Sequence, residues 1–231
     1  MNSKEMNRPL RVFDKILDGG LGRGNIGVLV SRHGTGKLAV MTTIAIDHAM
    51  NNVETLHAVY GKSIDEVRAY DDEVLERMIE PFDLRERAEI MARVERHKQI
   101  YVWRSGEFSV ERLRTTMGFL KEHAQFTPGL VELQGWPDLN TVSVEEIKDL
   151  KSLAVEFDTE IWISGHTHRE DCAENEIPPA IESLGDLISV VVALTPEGER
   201  VDLSFLKTHT GPPPSGIHLQ FNPKTMMIRW R

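Results

Sequence analysis

A chain of 231 residues is long enough to bury a substantial core and suits one α/β domain better than two. With 27 Lys and Arg against 36 Asp and Glu, the net charge of −9 offers no global basic field, so binding to nucleic acid is left to a local basic loop. The single Cys172 excludes an intramolecular disulfide and fits a reducing compartment. The opening MNSKEMNRPLRVFDK is charged and lacks the apolar core of a signal peptide, and the apolar stretch Leu187 to Leu194 is far too short to span a bilayer. A cytoplasmic protein without membrane segments is expected.

Residues 1–10 are expected to be flexible. Arg11 to Gly24 reads as a short amphipathic piece, with Val12, Phe13, Ile16 and Leu17 apolar, that ends in a Gly-rich turn. Ile26 to Val30 is a β-branched run suited to a buried strand, and Leu38 to about Met50 is an apolar helix stopped by Asn51-Asn52. Between them lies Ser31-Arg32-His33-Gly34-Thr35-Gly36-Lys37. Strand, Gly-rich turn, lysine and helix make the layout of a phosphate-binding P-loop, G-x-x-x-x-G-K-[ST]. Glycines let backbone N–H groups turn in around a polyphosphate, the helix N-terminus favours the anion, and the lysine reaches the terminal phosphates. Two positions depart from the pattern. Ser31 replaces the leading Gly, a mild change, and Leu38 replaces the closing Ser or Thr, whose hydroxyl ligates Mg²⁺.

Thr55 to Tyr60 is a second strand, and Ser63 with Glu66 forms a capping box for the next helix. Residues 64–98 carry interleaved acids and bases, as a solvated surface does, with Val74, Met78 and Ile79, then Ile90, Met91 and Val94, as apolar stripes of two helices separated by Pro81. Gln99 to Trp103 is a third strand. Ser109 caps a helix with Val110, Leu113, Met117, Leu120 and Ala124 at spacings of three and four. Gly129 to Leu133 is a fourth strand, Ser143 and Glu146 cap a helix with Ile147, Leu150, Leu153, Ala154 and Phe157 buried, and Glu160 to Ser164 is a fifth strand. Ile188 to Leu194 and Val201 to Leu206 flank a turn, and His218 to Phe221 with Thr225 to Trp230 make a closing hairpin. Trp103, Trp136 and Trp162 are expected in the core or covering the sheet, and Trp230 is a candidate exposed interface residue. Strands alternating with helices, then hairpins, predict one α/β domain over 1–231 with a mostly parallel sheet extended by antiparallel strands.

Taken together these motifs resemble the RecA-like P-loop ATPases, in particular the KaiC/RadA group and the core of hexameric replicative helicases. Residues 12–45 look like that group's Gly-rich opening, 109–170 like the helicase stretch around the Walker B strand, and 182–211 like the family's tail. The resemblance implies the RecA-like fold, a mostly parallel twisted sheet flanked by helices. It also implies binding of ATP or ADP through Ser31, Arg32, His33, Gly34, Thr35, Gly36, Lys37 and Leu38, with Gln134 at the Walker B position, and the ring-forming surfaces through which the family meets partners or itself.

The departures from the family pattern bear on chemistry. Gln134, a neutral amide, stands where the family has the Mg²⁺-holding Asp, and Gly61 and Lys62 stand where it has the Glu that activates water. Lys207 matches the lysine that reaches a neighbouring subunit's γ-phosphate, but His209 replaces its arginine companion. The implied protein is a pseudo-ATPase in a regulatory or scaffold role, without a dependable Mg²⁺ site. Two other readings stay open. One is an active, DNA-associated, helicase-like ATPase in which Glu132 or Asp138 replaces the missing acid; the strand's alternation puts Glu132 on the face of Gln134. The other is a metal-dependent phosphoesterase, because Gly165-His166-Thr167-His168 resembles the G-H-T-H motif of metallophosphoesterases, although their other motifs are absent.

Overall fold

The computed structural model describes residues 10–31, 35–166, 176–209, 211, 213 and 217–231. The expectations for Arg32, His33 and Gly34, for Thr167 to Glu170, for Cys172, for residues 1–9 and for most of the 211–216 loop lie outside the described residues, as does the His166 side chain.

Nine strands form one sheet among the described residues: β1 (Ile26–Ser31), β2 (Thr55–Tyr60), β3 (Lys98–Trp103), β4 (Leu130–Gln134), β5 (Glu160–His166), β6 (Val190–Glu197), β7 (Arg200–Lys207), β8 (Leu219–Asn222) and β9 (Met227–Trp230). Their order across the sheet is β3-β2-β4-β5-β1-β6-β7-β8-β9. The first six in that order are parallel and the last three add antiparallel hairpins, as the alternation of the sequence predicts. Helices α1 (Arg11–Ile16), α2 (Lys37–Met50), α3 (Ile64–Ile79), α4 (Leu84–His97), α5 (Val110–His123), α6 (Val144–Glu156) and the single turn α7 (Pro179–Glu182) complete the fold.

Every residue of β1 is buried, which explains its unbroken apolar run: helices cover both faces of the sheet. Strand alternation divides the core. Leu29, Leu130 and Trp162 point toward α2, α3 and α4, while Val28, Val131 and Ile161 point toward α5 and α6. Gly27 has no side chain because the Trp162 ring occupies its place; a Cβ there would stand 2.6 Å from that ring. Phe13 of α1 packs on the same face, with ring centroids 5.1 Å from Phe205 and 6.2 Å from Trp162. The three capping boxes and caps read from Ser63, Ser109 and Ser143 are formed, and Asp83 with Glu86 adds another box.

Some expectations need correction. α2 starts at Lys37, one residue early, because Gly36 takes the left-handed conformation and serves as N-cap. β4 and β5 run on to Gln134 and His166, and β6 begins only at Val190, after α7 and a 3₁₀ turn at Gly185–Leu187. Met91 is not core: it is 45 % exposed, on the rim of a groove between α3 and α4. Ala124 is exposed because it is the residue capping the end of α5. Trp103 and Trp162 are buried, Trp136 is half-buried, and Trp230 stands 50 % exposed on the last strand. Among the described residues no helix is long and apolar enough to cross a membrane.

Candidate functional site

The strand order sends the chain to opposite faces of the sheet from the carboxyl ends of two neighbouring strands. β1 hands the chain to α2, which crosses one face toward β2 on one flank. β5, its neighbour, hands the chain toward β6 on the other flank, and the described part of that connection packs Ile181, Leu184 and Ile188 on the opposite face. Adjacent strands whose connections diverge in this way leave a cleft between their carboxyl ends, the place where open α/β sheets bind ligands.

Several residues expected to bind phosphate lie at these carboxyl ends. Ser31 ends β1, level with His166 of β5 and Leu194 of β6, and is buried. Thr35 is buried, Gly36 has φ +80°, and Lys37 opens the helix. The Lys37 ammonium donates to the Gly165 carbonyl at 2.5 Å, tying the first turn of α2 to the end of β5. Lys37 is only 9 % exposed, and burial lowers its pKa to about 8. Gly165 is held bare by crowding, since a Cβ there would meet the Leu139 side chain at 2.5 Å. Leu38, half-buried, brings no oxygen to the cleft.

Gln134 is engaged inward. Its amide nitrogen donates to Oε1 of Glu132, which is fully buried one pleat below on the same face. Glu132 in turn faces His57 of β2, whose Nε2 lies 3.7 Å from Oε1, while His57 Nδ1 lies 3.0 Å from Oδ2 of Asp71 on α3. Lys98 at the start of β3 pairs with the same Asp71 oxygen. Of this buried polar cluster the sequence singles out Glu132 and Gln134, and not His57, Asp71 or Lys98. The available signal was alternation: His57 and Glu132 interrupt apolar strands at positions that face inward. A carboxylate can only accept, so Asp71 fixes the neutral His57 with its proton on Nδ1 and leaves Nε2 bare toward Glu132. Burial pushes His57 down to about 4, with Glu132 opposing and Lys98 reinforcing the shift. Burial also pushes Lys98 down to about 8, against the charge of Glu132.

The other candidates fall elsewhere. Gly61 and Lys62 are exposed at the end of β2. Asp138 is exposed, and its carboxylate accepts from the Asn140 backbone at 3.0 Å and side chain at 3.2 Å. Lys207 ends β7 opposite Val191, near the amino end of β6, so it lies at the far end of the sheet from Lys37. There it donates to the Gly185 carbonyl at 2.8 Å, and His209 Nε2 contacts the Gly20 carbonyl at 2.9 Å. Among the described residues no group of three or more His, Cys, Asp or Glu side chains is placed to hold a metal ion. No protein-family model matches the chain, and no curated protein matches it.

Proposed function

We propose that this chain is a degenerate RecA/KaiC-like P-loop protein that binds a nucleotide through its phosphates at Ser31–Lys37 and hydrolyses it little or not at all, serving as a regulatory or scaffold subunit. The observation that carries this reading is the position of Lys37. It is the first residue of a buried helix, behind a left-handed glycine, with its ammonium at the divergence of β1 and β5. Backbone N–H groups at the start of α2 and a lysine ammonium are complementary to a di- or triphosphate.

The chemistry of turnover has less support. Phosphoryl transfer rests on positioning and on charge neutralisation around Mg²⁺. Leu38 offers no ligand, Gln134 spends its amide on Glu132, and Glu132 itself is buried behind that contact. Loss of a single transition-state-stabilising group commonly costs ~10²-fold or more in rate. If Mg²⁺ is carried in, it comes with the nucleotide, and the protein's part is to hold phosphate oxygens through Lys37 and the loop.

The test is calorimetric titration of ATP and ADP with and without Mg²⁺, alongside phosphate release followed over hours. The expected result is binding that Mg²⁺ hardly changes, without sustained turnover, weakened about tenfold or more in Lys37→Ala by loss of a charge-assisted contact. Mg²⁺-dependent turnover abolished in Lys37→Ala would overturn the pseudoenzyme reading. Absence of nucleotide binding would overturn the site itself.

A further inference from the structure

The β6–β7 hairpin overhangs the end of β1. Ser31, the last residue of β1, is level with Leu194, and β6 continues through Thr195 and Pro196 to Glu197 before β7 returns from Arg200. Pro196 pairs with Val201, and Val201 with Phe221 of β8, so the β6–β7 and β8–β9 turns stand side by side at the carboxyl ends of the parallel strands. The hairpin also touches the residue that caps α2: a Cβ on Gly36 would lie 3.5 Å from Cγ2 of Val201. Between the two turns, Oε2 of Glu199 accepts from the Lys224 ammonium at 2.7 Å. The backbone amide of Lys224 donates to Oδ1 of Asn222 at 2.9 Å, which fixes the turn that carries it.

A nucleotide held at Lys37 brings more negative charge than one lysine meets. In phosphoryl-transfer sites Mg²⁺ takes up much of that charge. Here Leu38 offers the ion no oxygen, and Gln134 is neutral and spends its amide nitrogen on Glu132. Neutralisation therefore falls to further cations of the protein. Lys224 is such a cation, on the turn that adjoins the hairpin packed on Gly36. Its side chain is 70 % exposed and that of Glu199 81 %. An ion pair so open to solvent is weak, whereas a lysine on phosphate oxygens makes a strong charge-assisted contact.

We propose that Lys224 is a second cation for the bound nucleotide, exchanging its contact with Glu199 for a phosphate oxygen when the nucleotide enters. Glu199 is then a competitor: it keeps Lys224 beside the site and lowers nucleotide affinity by the strength of the pair. Arg200 provides the contrast within the same hairpin. It alternates with Val201 and so lies on the other face of the sheet, where its guanidinium donates to Oε1 of Gln220 at 3.3 Å. The proposal rests on the nucleotide reading of Lys37 and adds to it a residue that takes over part of the metal's charge.

The experiment titrates ADP and ATP without Mg²⁺ into the full chain by calorimetry. Its variants are Glu199→Gln, Lys224→Gln, Arg200→Gln and the Glu199→Gln, Lys224→Gln double variant. All three side chains are exposed, so the fold is expected to persist, as circular dichroism would verify. Glu199→Gln should bind about threefold more tightly, a gain that loss of structure cannot produce. Lys224→Gln should bind about three- to tenfold more weakly, and most of the gain from Glu199→Gln should disappear in its background. Arg200→Gln should stay within about twofold of the unmodified chain. A gain of equal size with and without Lys224 would make Glu199 a general repulsive charge and overturn the exchange. Unchanged affinity in Lys224→Gln, or a loss no larger than that of Arg200→Gln, would overturn the proposal while weaker binding in Lys37→Ala upheld the nucleotide site. No nucleotide binding by the unmodified chain would overturn both.

Discussion

Lys37 and His57 show how burial sets the behaviour of single residues here. An ammonium held to about 8 by desolvation is mostly charged at neutral pH and loses its proton only modestly above it. A bound phosphate stabilises the charged form, so nucleotide affinity should fall as pH rises through 8, by up to about tenfold per pH unit, and Lys37→Arg should remove that dependence. Titrations at pH 7, 8 and 9 check it; a flat profile in the unmodified chain would mean that the ammonium does not meet the phosphates. His57 acts in the opposite part of the scale. Unfolded, it takes a proton near 6.5, and folded only near 4, so between those values the unfolded chain binds more protons and stability falls as pH falls. Denaturant midpoints between pH 7 and 4.5 should therefore decline in the unmodified chain. His57→Gln, destabilised at neutral pH, should decline less steeply over that window.

His48 gives the reverse sign. Burial works to lower its pKa, but the 2.6 Å contact with Glu160 and the charges of Glu160 and Asp47 raise it above 6.5. That stabilisation is complete below 6.5 and is lost as pH rises through the raised value. Glu160→Gln should thus cost about 1–3 kcal/mol at pH 6, as expected for a charge-assisted hydrogen bond, and less at pH 9. The same carboxylate accepts from the Gly22 backbone at 3.1 Å, so the variant should also loosen the glycine turn before β1, visible as faster amide exchange at Gly22.

At the scale of elements, two glycines in regular structure have opposite meanings. Gly27 sits in β1 against the Trp162 ring, where a methyl group has no room, and Gly118 sits in α5 with nothing within 4 Å of its missing Cβ. Gly27→Ala should destabilise by about 1–3 kcal/mol through overpacking and perturb Trp162 fluorescence. Gly118→Ala should stabilise by about 0.5–1 kcal/mol, because alanine is the better helix former. Thermal melts of the two variants check both signs. The strands and caps were legible because each rests on local chemistry: a β-branched run, a serine with a glutamate three residues on, a proline between helices. The strand Ile26–Ser31 and the helix Lys37–Met50 on either side of residues 32–34 were legible for the same reason. The cluster of His57, Asp71, Lys98 and Glu132 was not, since these residues lie on four separate elements and only the sheet order β3-β2-β4 brings them together. Met91 misled for a related reason. Its helical spacing matches a core position, but the stripe it belongs to faces a groove that no other element fills among the described residues.

On the scale of the whole molecule, the sheet separates two features that the sequence resemblance groups into one activity. Lys37 stands at the carboxyl ends of the parallel strands, whereas Lys207, on an antiparallel neighbour, stands near their amino ends. Within one chain the two cannot meet the same phosphate, and Lys207 already has local partners in the Gly185 carbonyl and, at 3.8 Å, Asp186. Any role for Lys207 at a nucleotide therefore requires a second copy or a partner that brings the amino-end edge of one sheet to the carboxyl-end cleft of the next. A head-to-tail contact of this kind closes into a ring or runs on as a filament. This separates the monomer from an assembly by concentration. At dilutions where light scattering reports a single chain, Lys207→Ala should leave ADP affinity within about twofold of the unmodified protein, since the contacts it loses are remote from Lys37 and distant substitutions act independently. At concentrations where the chain associates, a loss of affinity confined to the variant would place Lys207 across an interface, opposite the phosphates of a neighbour. Equal affinities under both conditions would limit its role to anchoring the 185–187 turn.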